Sequence, residues 1–462
     1  MKQAALSIVA IAIALICSEC VPRPDFSAEA LGGGANFTTD AEGVQAFGKM
    51  GRMDKQAGRE FSSGNSLFKR NWVEAPASVT TFDGVGPLLN ARSCGSCHSL
   101  DGRAAPPDEF EIERAGLLFR LNNGEVGPHG APAPHPRYGG QIQDVAVSRV
   151  KPEAQVVTTY DTVRGAYADG TPYELYRPIY TLTDLAYGEI DPAYKLSPRI
   201  APQLIGMGLL DNIPEAALLA HADPEDGDGD GISGRPNYIW DVAREKKVVG
   251  RFGWKANQPT IRQHTASAFN GDMGLTTTLF PEDEFNAYQQ ARNEPKPDGG
   301  HPEVTDKQLD RVTLYVKALS VPRNRNTDTA AYYRGRTLFY DLNCEACHKA
   351  SFTTGDQDEI AALNGQTFYP YTDLLLHDMG ASLADDCPDH EASGREWRTP
   401  PLWGVGKISV VNGHTRLLHD GRARGVAQAI LWHGGEAEAS KEEFVRLSAE
   451  ERAALIFFIN SL

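Results

Sequence analysis

Apolar and polar positions change their pattern several times along the 462-residue chain. Behind Met1 and Lys2 an apolar run extends from Ala4 to Ile16, with Ser7 its one polar residue. The run is too short to cross a bilayer comfortably, and a buried amphipathic helix would keep a polar face that it lacks. Residues 1–20 therefore read as a secretory signal segment, and no later stretch approaches the length of a membrane span. Helical spacing appears at four further places. Gly64-x-x-Leu67-Phe68 and Gly335-x-x-Leu338-Phe339 are two copies of one short pattern. Thr305-Asp-Lys-Gln308 and Ser448-Ala-Glu-Glu451 are capping boxes, and each opens an amphipathic run. Those runs end alike, at Val316-Lys-Ala-Leu319 and Ile459-Asn-Ser-Leu462. From about residue 105 to 300 helical periodicity is weak and Pro, Gly and Tyr are frequent, which predicts loops and short strands. Val321–Thr327 reads as a polar linker.

Chemistry enters with Cys94-Gly-Ser-Cys97-His98, repeated 250 positions later as Cys344-Glu-Ala-Cys347-His348. C-x-x-C-H is the covalent attachment pattern of haem c: the thiols add to the vinyl groups and the histidine binds the iron. A thiol redox pair has no need of the trailing histidine, and zinc would need a second Cys or His pair close to each motif. Cys17-Ser-Glu-Cys20 is followed by Val21 and lacks the histidine. The short G-x-x-L-F pattern precedes the second motif by five residues and the first by 26, with about 21 extra residues between them. The expected fold is mainly α. It comprises two tandem cytochrome c-type domains, 40–322 and 328–462, the first swollen by a loop-rich insertion over about 105–300.

Composition narrows the partners. Acids outnumber bases 61 to 45, a formal charge of −16, which repels phosphate backbones and argues against nucleic acid. The same charge suits a basic redox protein. Seven cysteines in a chain of this length cannot form a dense disulfide scaffold. Haem ligation and the signal segment agree on the periplasm or cell envelope. Ala12 and Ala14 offer a cleavage site, and Cys17 is a candidate lipid anchor.

Asp226-Gly-Asp228-Gly-Asp230-Gly231 places oxygens at positions 1, 3 and 5 and Gly at 6, as a calcium loop begins. Position 12 is Asn237 rather than a bidentate Glu, so Asp223 or Asp241 would have to substitute. A solvated acidic turn is the alternative.

Beyond these motifs, Gly250–Pro259 (GRFGWKANQP), Phe269–Gly274 (FNGDMG), Leu375–Gly380 (LLHDMG), Trp397–Gly404 (WRTPPLWG) and Leu418–Ala423 (LHDGRA) resemble the di-haem oxidoreductase, putative peroxidase family, from about residue 60 to the C-terminus. That family is distantly related to bacterial di-haem cytochrome c peroxidases and latex-cleaving di-haem oxygenases. The resemblance implies an electron-transfer haem in the C-terminal domain and a reactive one in the N-terminal domain. The relatives place a distal ligand just before the final helix. Here that position is His433, fifteen residues before Ser448, and no methionine follows Met379. His377, Met379, His414 and His419 are the other C-terminal candidates. His377 resembles a histidine near the haem edge in the peroxidases, and His419 is expected to orient loops. For the N-terminal haem, His129, His135, His264, His301, Met207 and Met273 compete, or the sixth position is open.

Three functions fit: electron transfer between two haems with peroxide reduction at the N-terminal one, electron carriage with no substrate of its own, or haem-dependent service to a metal-uptake partner.

Overall fold

The longer helices are α1 (Lys55–Lys69), α2 (Ile261–Met273), α3 (Asp306–Lys317), α4 (Ala330–Asp341), α5 (Val426–Trp432), α6 (Glu438–Arg446) and α7 (Ala449–Ser461). Local chemistry sets their starts. Asp54 accepts hydrogen bonds from the backbone N–H groups of Gln56 and Ala57 and so caps α1. Thr260 and Thr329 cap α2 and α4. Both capping boxes read from the sequence are present, Thr305 with Gln308 and Ser448 with Glu451. The structure, a computed structural model, describes residues 26–107, 116–296 and 299–462. The signal segment over 1–20 and Cys17 lie outside the described residues. Among these residues no helix is long and apolar enough to cross a membrane.

Two helix crossings form the frame, and they are copies of each other. In α1, a Cβ on Gly64 would lie 2.1 Å from the Arg311 carbonyl oxygen of α3 and 2.7 Å from Tyr315 Cβ. In α4, a Cβ on Gly335 would lie 2.1 Å from the Ala454 carbonyl oxygen of α7 and 2.6 Å from Phe458 Cβ. Only glycine lets the backbones approach so closely. One turn later Phe68 meets Tyr315 with ring centres 5.2 Å apart, and Phe339 meets Phe458 at 5.4 Å. The G-x-x-L-F pattern is thus a crossing motif. The glycine sits at the contact and the phenylalanine fills the space beside it. A third helix joins each pair: α2 packs on α3, and α5 packs on α7.

The fold is mixed rather than mainly α, with 31% helix and 19% strand in many small sheets. The difference lies chiefly in the insertion. β1 (Leu117–Asn122), β2 (Gln141–Ile142) and β5 (Lys195–Ile200) form an antiparallel sheet in the order β2-β1-β5. β3 (Gln155–Ala166) and β4 (Pro172–Thr183) form a two-stranded ribbon paired along twelve positions, from Gln155–Thr183 to Ala166–Pro172. These strands are long, not short. Their physical cause is β-branched and aromatic residues alternating between two faces, with a turn that contains Asp169-Gly170, Gly170 at φ 84°. Further along, β6 (Leu376–Asp378) pairs with β7 (Glu396–Arg398).

Among the described residues two large apolar cores result, beside a small cluster of Ala256, Leu376 and Ala392, and neither large core respects the polar linker. The first gathers Phe61, Phe68, Trp72, Phe269 and Tyr315 from the N-terminal half, and also Phe352, Phe368 and Trp403 from the C-terminal half. The second gathers Phe339, Phe444 and Phe458 together with Leu117, Phe119 and Val156 of the insertion. At the start of the described chain, Glu29 is buried and its carboxylate takes a two-pronged contact from Arg336 and hydroxyl bonds from Tyr332 and Tyr371.

Candidate functional site

Between the two helix frames lies one continuous cavity of about 390 Å³. Cys94, Cys97 and His98 reach it from the helical turn Cys94–Cys97, and Cys347 and His348 reach it just beyond the turn Cys344–Ala346. The two motifs, 250 residues apart in sequence, therefore share one chamber. Cys94, Cys97, Cys344 and Cys347 are free thiols. Burial pushes Cys94, Cys97 and Cys344 up to about 12, and it raises Cys347 as well. A dithiol redox pair needs the opposite shift, towards the thiolate. These thiols suit a fixed covalent attachment.

The two motif histidines are held alike. His98 Nδ1 lies 2.8 Å from the Pro202 carbonyl oxygen, and His348 Nδ1 lies 2.9 Å from that of Tyr371. Burial pushes both imidazoles down to about 4, so both are neutral at pH 7. A neutral ring that donates from Nδ1 keeps its lone pair on Nε2, the state a metal ligand requires. His433 repeats the arrangement. It ends α5, its Nδ1 lies 2.6 Å from the Ala429 carbonyl oxygen, and its charge is felt at His348. His264, the fourth residue of α2, lines the cavity. Burial first, and then the charge of His98, push it down to about 4.

The remaining candidates are placed differently. His135 lies off the cavity wall, with Nδ1 accepting from the backbone N–H groups of Arg137 and Tyr138. His129 stacks on Trp240 with ring centres 4.1 Å apart, and His301 is likewise off the cavity wall. His414 uses both ring nitrogens, on the Arg103 carbonyl and the Arg416 N–H. His377 is wedged between Asp373 at 2.9 Å and Glu436 at 2.6 Å. Burial is the largest single influence and opposes its charge, but Asp373 and Cys347 together outweigh it and hold the imidazolium well above the usual histidine range. That cation stands 3.5 Å from Cys347 Sγ. His419 stacks flat on Trp397 at 3.7 Å. Met207 and Met273 line the cavity, and Met273 is also packed into the first core.

Whether this chamber suits a haem can be judged from its arginines. Arg103, Arg120 and Arg398 line it, and among the described residues none of the three has an ion-pair partner. Arg103 donates to the Leu418 carbonyl and leaves its buried Nε unpaired; Nε of Arg120 is also buried and unpaired. Arg398 donates to the carbonyls of Gly253 and Thr399 at 2.8 and 3.0 Å. Burial pushes Arg103 and Arg398 down to about 10, yet both stay charged at neutral pH. Burying a cation is costly, and the carboxylates within electrostatic reach, Asp420 of Arg103 and Asp373 of Arg398, make no direct ion pair with them, so the chamber suits further anionic groups. Haem propionates are such groups, and the fit is good. Sequence reasoning did not single out these arginines. Arg103 stands five residues after His98 and Arg398 within Trp397–Gly404, but nothing local marks either as facing a cavity.

The acidic loop brings together carboxylates of Asp223, Asp226 and Asp228, whose ligand oxygens lie within 4.8 Å of one another. Asp230 accepts from the Ile232 N–H at 2.8 Å and is not one of the three. Asn237 is spent elsewhere: its Nδ2 donates to the carbonyls of Lys255 and Asp389, and its Oδ1 accepts from the Glu391 N–H. At the loop's end Ser233 donates to Glu436, the carboxylate that also holds His377.

No curated protein and no solved structure matches this chain. One family model does, across residues 26–462, and with it the chain belongs to the family described as di-haem oxidoreductase, putative peroxidase.

Proposed function

We propose that the protein is a periplasmic di-haem c-type cytochrome that passes electrons between two covalently attached haems and delivers them to a small oxidant of the peroxide class at the N-terminal haem. The observation that carries the reading is the single chamber walled by both C-x-x-C-H motifs, each with a neutral histidine whose Nδ1 is engaged by a carbonyl. When bound, the haems supply one-electron chemistry at iron. The chain does the rest. Cys94, Cys97, Cys344 and Cys347 fix the macrocycles, while His98 and His348 orient an Nε2 lone pair. Arg103, Arg120 and Arg398 neutralise carboxylates. His433, in the same chamber wall, would supply a second imidazole to the C-terminal centre held by His348. The His377 cation beside Cys347 favours the reduced state there. Reduction of hydrogen peroxide to two waters takes two electrons and two protons, and two bound haems would supply one electron each. The donor is a basic redox protein drawn by the charge of −16. The same reading assigns calcium to the carboxylates of Asp223, Asp226 and Asp228.

The test joins haem staining on denaturing gels to turnover. Cys94→Ala/Cys97→Ala and Cys344→Ala/Cys347→Ala should each lose half of the stain. Peroxide should be consumed only with a reduced donor, and the first double variant should abolish it. Undiminished stain in either variant defeats covalent attachment at that site. Full staining without peroxide consumption supports the second reading, electron carriage without a substrate, which His264 in the chamber wall favours.

A further inference from the structure

We propose that His264 is the sixth ligand of the N-terminal haem iron, opposite His98, so that this iron is closed on both sides in the resting protein. The proposal rests on the haem reading above and sharpens it at one position.

The internal duplication points to it first. The crossing of α1 with α3 repeats that of α4 with α7, down to the glycine and the aromatic pair. Against the second helix of each crossing lies one more helix, α2 on α3 and α5 on α7. α5 ends in His433, which stands within electrostatic reach of His348. α2 carries His264, which stands within electrostatic reach of His98. Each C-x-x-C-H histidine thus shares the chamber wall with one histidine presented by the equivalent helix and lies within its electrostatic reach.

The second observation is local. All four of these histidines are half-buried and border the chamber. His98, His348 and His433 each spend Nδ1 on a carbonyl. His264 has no hydrogen-bond partner among the described residues; its one ring contact is Phe252, 6.4 Å away between centres. An imidazole that faces a chamber without a hydrogen-bond partner is free to bind a metal through its ring nitrogen. One turn on from His264 stands Ala268, also in the chamber wall, so the helix face beside the histidine is low. Met273 competes less well: it is only 3% exposed and belongs to the first core.

A closed iron changes what the protein does at rest. Electrons can still pass through it, but a small oxidant gains access only after His264 leaves. The purified ferric holoprotein should show both haems low spin and should not bind cyanide. His264→Ala should turn one of the two haems high spin and raise cyanide affinity roughly a hundredfold, the factor lifted when a competing internal ligand occupied 99% of the site. Added imidazole should restore the low-spin spectrum, and haem staining should be unchanged. A His264→Ala spectrum identical to wild type, or prompt cyanide binding by the wild type, overturns the proposal. Conversion to high spin by Met273→Leu instead reassigns the position to that methionine. The wild-type cyanide test holds even if His264→Ala does not fold. Loss of haem staining would be a failure of the haem reading itself and is seen on a separate gel.

Discussion

Gly64→Ala is a one-carbon change whose sign the crossing of α1 and α3 decides. Alanine in mid-helix gains about 1 kcal/mol over glycine from propensity alone. The new Cβ would, however, lie 2.1 Å from the Arg311 carbonyl oxygen and 3.0 Å from its carbon. Ordinary carbon–oxygen contacts are about 3.3–3.6 Å, so the helices must separate by more than 1 Å. The obstacle is backbone and cannot rotate aside. Overpacking of this kind costs roughly 1–3 kcal/mol, and a rigid obstacle belongs at the upper end. The net expectation is a loss of about 2 kcal/mol, a fall of about 2 °C in melting temperature for a chain of this length at about 2.1 cal/mol/K of unfolding entropy per residue. Gly58 in the same helix supplies the control. A Cβ there meets nothing nearer than the flexible Met50 Cε at 3.5 Å, so Gly58→Ala should stabilise by about 0.5–1 kcal/mol. Thermal melts of the two holoproteins, followed by far-ultraviolet circular dichroism, should move in opposite directions. A Gly64→Ala protein that melts at or above wild type would refute the close crossing.

His433→Ala should leave both haems attached but turn the C-terminal one high spin in the ferric spectrum; an unchanged spectrum removes His433 from the iron. Arg398→Gln should make the haem it faces harder to reduce, by about 59 mV for a tenfold change in a one-electron equilibrium, and a potentiometric titration that matches wild type would show that Arg398 faces no propionate. His377 has its folded pKa raised above the unfolded value, so its contribution to stability is complete below the ordinary histidine range and fades as pH rises through the folded pKa. Melting temperature should fall over that alkaline window in the wild type, and His377→Gln should flatten the slope. Chelator should lower the melting temperature and calcium restore it, through Asp223, Asp226 and Asp228; melts indifferent to both leave only a solvated acidic turn.

What could be read from the sequence follows from how local each signal is. The caps at Thr305 and Ser448 and the G-x-x-L-F copies are complete within a few residues and lie where the pattern put them, and both C-x-x-C-H motifs are equally local. The β3–β4 ribbon was legible in principle, since Asp169-Gly170 stands between two runs of alternating β-formers. The low helical periodicity around it read as loop. Pairing of β1 with β5 joins Leu117 to Ile200 and leaves no local trace. The same holds for the chamber. His98 is identified by its neighbours, whereas His264 stands 166 residues later and reaches the chamber only because α2 lies against α3. Asn237 fits a loop position by count, but its amide is used by Lys255, Asp389 and Glu391.

A first core that draws on Phe352, Phe368 and Trp403 cannot close until those residues have been synthesised. At ~5–20 residues per second, the stretch from Phe68 to Trp403 takes on the order of 20–70 s to emerge. Throughout that interval Cys94 and Cys97 belong to an open chain, with thiols near the ordinary acidity of about 8.5 rather than 12. The reactive state of the first motif therefore belongs to the unfolded chain, and its inert state to the folded one. A topology this rich in distant pairings also folds slowly. Any covalent chemistry at Cys94 and Cys97 would therefore have to precede closure of the first core, which waits for the C-terminal half to seal the chamber from both sides.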